Sequence, residues 1–150
     1  MHTLSNSVDL AETIERLSSL EAEDRGLWGI MNAPEMLCHL RGAFRVAMGE
    51  IPVVPVHVPM PRTAFKFIVL WSPIPWRKNF ATVPPLRRGM PTMQVASFEM
   101  GRSDVVSELR RFCRAEQTRV DHPHFGPMSV ADWMRWGYLH TDHHLRQFGR

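Results

Sequence analysis

Apolar positions recur at helical spacing in four stretches of the chain, interrupted by a long segment in which that spacing is lost. The first stretch predicts a helix from about Ser7 to Leu20, with Val8, Ile14, Leu17 and Leu20 on one face and Glu12, Glu15 and Arg16 on the other. Asp24 to Asn32 reads as a connection in which Leu27, Trp28 and Ile30 tuck inward. The second helix has a sharp start. Asn32 is a capping residue, Pro34 fits the first turn, and Glu35 stands three residues after the cap, as in a capping box. Met36, His39, Leu40, Ala43, Val46 and Ala47 then share one apolar face, and Gly49 is a stop signal.

Between Pro52 and Pro91 the texture changes, because nine of the twelve prolines fall there and exclude long uninterrupted helices. Ile51 to Pro61 should be extended, and Thr63 to Leu70 has room for a short helix before Pro73. Pro84, Pro85, Gly89 and Pro91 make another irregular stretch. Phe65, Phe67, Ile68, Leu70, Trp71 and Trp76 require burial, so 51–91 is a structured insertion and not a domain boundary. A further helix starts near Ser103 and runs to about Glu116. After the loop from Asp121 to Pro127, Ser129 caps the last helix, with Asp132 three residues on as a weaker relative of the capping box. Val130, Trp133, Gly137, His140 and His144 form one stripe on it. Gly137 costs helix stability by about 1 kcal/mol relative to alanine but lets a neighbouring helix approach closely.

At 150 residues the chain is one domain's worth, 1–150, with an ordinary 44% apolar and 22% charged composition. The net charge of +3 comes mostly from arginines spread from Arg16 to Arg150, which reads as a solvated surface and not a nucleic-acid stripe. Cys38 and Cys113 are too few for a disulfide framework, and no signal-peptide pattern opens the chain, so a reducing cytoplasm is expected. No stretch reaches the ~18 apolar residues of a spanning helix. The Ala64 to Trp76 region carries Lys66 and two prolines.

Candidate chemistry sits in the histidines. His140 and His144 stand four apart, which places both rings on one helix face, roughly 5–6 Å apart at Cβ. His39 looks out from the apolar face of another helix. Three neutral imidazoles around a divalent ion leave a coordination position open, as catalytic sites do. A core histidine at 39 is the competing reading, and spacing alone leaves both open. His143 lies about 100° around the helix from His144, so it packs or hydrogen-bonds. Asp142 is either an orienting partner for an imidazole or an exposed cap-like residue. Gln147 stands close to the His144 face and can line the same cavity. His122 and His124 fall in a loop shaped by Pro123 and Gly126 and read as structural. Cys38 reads as a small buried residue, with no partner base in view. Trp71, Trp76, Arg77 and Lys78 read as a pocket rim or dimer contact, with a membrane surface as a weaker alternative.

The stretch His122-Pro-His-Phe-Gly-Pro-Met-Ser129, followed by Trp133-Met-Arg135 and Tyr138-Leu-His140-Thr-Asp-His143-His144-Leu-Arg146-Gln147-Phe-Gly149, resembles the C-terminal signature of one branch of the DinB/YfiT-like superfamily. Trp28 to Leu40 is similar to that family's second-helix start, whereas the Pro-rich middle matches loosely. The resemblance implies an all-α, DinB-like four-helix bundle of up-down-down-up type, with the Pro-rich excursion between the second and third core helices. It implies a metal held by His39, His140 and His144. It also implies a bacterial protein, a homodimer, and chemistry with a low-molecular-weight thiol. The expected function is therefore a metal-dependent enzyme, an S-transferase or hydrolase, in which a divalent ion (Zn, Ni or Fe) activates water or a thiol toward a small electrophilic substrate. The alternative is a non-catalytic metal-binding or stress-response bundle.

Overall fold

A computed structural model describes residues 1–80, 82–87, 90, 94, 97–114 and 120–150. These residues form α1 (Ser7–Ser18), α2 (Ala33–Ala47), α3 (Arg62–Trp71), a short 3-10 turn (Pro84–Leu86), α4 (Phe98–Arg114) and α5 (Val130–Gln147), with no strand among them. The protein is an all-α bundle. Helix α2 packs chiefly on α4 and α1 on α5, while α1–α4 and α2–α5 contacts close the four-helix core. Leu37, Phe44, Leu109, Phe112, Trp133 and Leu145 are buried at its centre. Complete burial of such a side chain contributes about 1.5–3 kcal/mol, so this centre dominates the hydrophobic stabilisation. Glycines on two of the core helices permit close approaches. A Cβ on Gly137 would come 2.6 Å from Leu4 and 2.9 Å from Phe112, and one on Gly42 would come 2.5 Å from Leu86.

Helix ends follow the local signals. Asn32 accepts from the Glu35 N–H at 2.9 Å while the Glu35 carboxylate accepts from the Asn32 N–H at 2.9 Å. Ser129 and Asp132 form the same reciprocal box, at 3.1 and 2.9 Å. Asp132 does more than cap. It also accepts from Trp71 Nε1 at 2.8 Å and Lys66 Nζ at 2.9 Å, and so pins α3 against the start of α5.

Several sequence expectations are corrected. Helix α4 begins at Phe98 and not near Ser103, because the Ser97 hydroxyl accepts the Met100 N–H at 3.2 Å and starts the helix earlier. Its expected end at Glu116 lies outside the described residues, as do Gly89 and Pro91. On α1 the buried stripe is Asp9, Thr13 and Leu17, and Val8 is exposed. Asp9 can be buried because the Thr3 N–H and His2 satisfy its carboxylate at 2.8 and 2.7 Å. Leu27 and Ile30 are exposed and not tucked into the core, since main-chain bonds hold that loop: the Leu27 N–H donates to the Gln147 carbonyl at 2.7 Å. Phe67 and Ile68 are exposed because α3 is held by its polar anchors and buries Leu70 alone completely. Val130, in the first turn of α5, is exposed as well.

Candidate metal centre

His39 on α2 and His140 and His144 on α5 meet where these two helices face each other. One nitrogen from each ring lies within 4.8 Å of the others, and His39 and His144 are buried with His140 partly so. Nε2 of His39 stands 3.1 Å from Nε2 of His140. Two nitrogens that each bind one ion at roughly 2.0–2.1 Å lie about 3–3.4 Å apart at right-angled to tetrahedral geometry. The observed separation falls within that range, so the donor set fits a divalent ion.

Burial sets the protonation state of the trio. It pushes the His39 imidazole down to about 4, against an opposing pull from the Leu86 backbone. His140 and His144 are also driven well below the usual histidine range, first by burial and then by their neighbouring imidazoles. All three rings are therefore neutral at pH 7, the form that binds metal.

Gln147 fixes the orientation of one ring. Its Oε1 accepts from Nδ1 of His144 at 2.9 Å, which leaves the Nε2 lone pair of His144 free for ligation. Its amide nitrogen donates to the Trp28 carbonyl at 2.6 Å, tying the orientation of the His144 ring to the loop before α2. Nδ1 of His39 and of His140 is buried without a hydrogen-bond partner of good geometry. The proximity of Gln147 to the His144 face is visible in the sequence, but the Trp28 carbonyl that locks its amide is not.

The trio forms the floor of a cavity of about 1120 Å³. Helices α2 and α5 supply one side, the 65–87 excursion another, and the 28–31 and 122–125 loops the rest. Leu86 closes over α2 because Gly42 leaves room for it. Trp76 stands 6.0 Å from both His140 and His143, with its own N–H spent on the Val69 carbonyl at 2.9 Å. Trp76 and Arg77 line the cavity, and Lys78 lies over the Trp28 ring at 4.3 Å. This is the pocket-rim arrangement. Trp71 is instead a structural donor to Asp132.

The remaining candidates fall outside the donor set. His143 packs edge-on to Trp28 and His144 at the cavity wall. Asp142 is not an exposed cap but a strut, paired with Arg16 of α1 at 3.0 Å and with Arg146 at 2.7 Å. His122 is buried and stacked on Phe125 at 4.3 Å, and its Nδ1 accepts the His124 N–H at 3.2 Å. Its Nε2 therefore carries the proton, and burial holds its pKa near 3. Cys38 is fully buried, free and pushed up by burial, without the depressed pKa of a nucleophile.

Residues 3–150 match the family described as "Protein of unknown function (DUF1569)", and the chain belongs to that family. Comparison with curated proteins and with solved structures returns no match. Among the described residues no helix is long and apolar enough to cross a membrane.

Proposed function

We propose that this protein is a metal-dependent enzyme related to the DinB/YfiT-like superfamily, with a divalent ion held by His39, His140 and His144. The observation that carries the reading is the position of three neutral, convergent imidazoles on the floor of an open cavity of about 1120 Å³. A structural metal site is closed by its protein ligands, whereas a catalytic one keeps a position and an approach path for substrate. Such an ion supplies Lewis acidity, which makes water or a low-molecular-weight thiol a better nucleophile at neutral pH. The substrate is then a small electrophile.

The chain's own groups have separable tasks. Gln147 holds His144 in the ligating tautomer through the 2.9 Å contact with its Nδ1. Trp76 and Trp136, tilted against the His140 ring with centroids 6.0 and 5.1 Å away, exclude bulk water from one side. His122 presents a neutral N–H from the wall, a donor for a substrate oxygen.

The test is thiol transfer or hydrolysis with a panel of small electrophiles, comparing wild-type protein with His140→Ala. The enzyme reading predicts loss of metal-dependent turnover with little loss of folded protein. A variant that mainly loses stability, with no turnover in the wild type under any metal, marks a non-catalytic bundle.

A further inference from the structure

The cavity walls are one-sided in charge. No Asp or Glu lines them among the described residues, whereas Arg77 and Arg87 both do, and Lys78 stands over the wall residue Trp28. All three cations come from the Pro-rich excursion, which supplies one wall of the chamber, while α2 and α5 carry the histidine floor. The remaining surface is mostly aromatic and aliphatic, with Phe65, Trp76, Phe80, Phe125 and Trp136 contributing rings and Asn79, Thr82, Gln147 and the wall histidines the polar groups. Ile74 and Phe80 line it while staying more than half exposed, which makes an apolar lip.

We infer that the chamber takes a small, mostly apolar molecule carrying one anionic group, its body against the aromatic wall and its charge at Arg77 and Arg87. This rests on the reading above only in treating the cavity as the substrate chamber. Apolar contact supplies the affinity, at roughly 25 cal/mol per Å² removed from water. The guanidinium groups of Arg77 and Arg87 supply direction, because a planar fork matches a carboxylate or sulfonate in two hydrogen bonds; the Nε of Arg87 is held on the Thr82 carbonyl at 3.3 Å. A cationic ligand would meet two arginines, with Lys78 close behind at Trp28, and no compensating carboxylate among the described wall residues.

Two fluorescent probes with one aromatic body test this: anilinonaphthalene sulfonate and its uncharged analogue phenyl-naphthylamine, titrated at low salt into wild-type protein and an Arg77→Gln/Arg87→Gln variant. Both probes should bind at one site per chain. The double variant should weaken the sulfonate roughly three- to tenfold, the range expected for two exposed charge contacts, and leave the neutral probe unchanged. An unchanged sulfonate affinity, equal losses for both probes, or several weak sites per chain would overturn the inference. Metal uptake is scored separately on the same wild-type protein. A protein that takes up no metal yet separates the probes fails the enzyme reading alone, and one that takes up metal but treats the probes alike fails this inference alone.

Discussion

The side-chain oxygen of Gln147 lies 2.9 Å from Nδ1 of His144, and the same side chain reaches the Trp28 carbonyl with its nitrogen at 2.6 Å. One amide thus fixes the tautomer of a candidate ligand and fastens α5 to the loop that leads into α2. Gln147 is itself buried, so its bond to His144 is shielded from competition by water, while the bond to Trp28 is partly so.

Replacing that amide should cost affinity before it costs the fold. Gln147→Ala is expected to weaken Zn²⁺ binding about 10–100-fold, the usual effect of removing a group that orients a ligand. Competition against a chromophoric chelator measures it, with circular dichroism as the control for helix content. Wild-type affinity in the variant would remove Gln147 from this role.

Gly137→Ala sets two terms against each other. Alanine gains about 1 kcal/mol of helix propensity. Against this, its Cβ would stand 2.6 Å from Leu4 and 2.9 Å from Phe112. Both neighbours are buried, and overpacking of this kind costs about 1–3 kcal/mol. Because the ring of Phe112 is enclosed by Phe44, Trp133 and Trp136, the steric term wins. Urea denaturation should show net destabilisation, and a stabilised variant would mean that α4 and α5 are less closely packed than they stand here.

Asp132 makes stability depend on acid. Burial raises its pKa, but hydrogen bonds from Lys66, Ser129 and Trp71 outweigh burial and hold it at about 2, below the ordinary 3.8. A carboxyl depressed in the folded state stabilises the protein above its unfolded pKa and loses that contribution as pH falls through the folded value. The advantage of wild type over Asp132→Asn should therefore be constant above about pH 4 and shrink by about 2 kcal/mol toward pH 2. Urea midpoints recorded across that range check it, and a pH-independent difference would contradict the assignment.

Legibility in the sequence tracked how local each cause is. The caps at Asn32 and Ser129 are set by residues three apart, and both were readable, although Asp132 is a full capping partner that also accepts from two further donors, Lys66 and Trp71. The histidine trio was readable because His39, His140 and His144 lie on apolar helix faces; the resemblance then brought the two helices together. What spacing could not supply was tertiary. Leu27, Ile30, Phe67 and Ile68 are apolar yet exposed, because backbone and polar anchors position their segments. Asp9 is polar yet buried, because His2 and the Thr3 N–H reach it from outside the helix. The wall chemistry of the cavity depends on where the Pro-rich excursion lands, which no periodicity encodes.

The most direct test of the metal centre is elemental analysis of protein purified without a nickel column, followed by titration with Zn²⁺ and Ni²⁺. With His39 Nε2 and His140 Nε2 at 3.1 Å and His144 beside them, uptake should saturate at about one equivalent per chain. In His140→Ala that stoichiometric uptake should be lost. Less than about 0.1 equivalent in the purified wild-type protein, with no uptake on adding either ion, would contradict it.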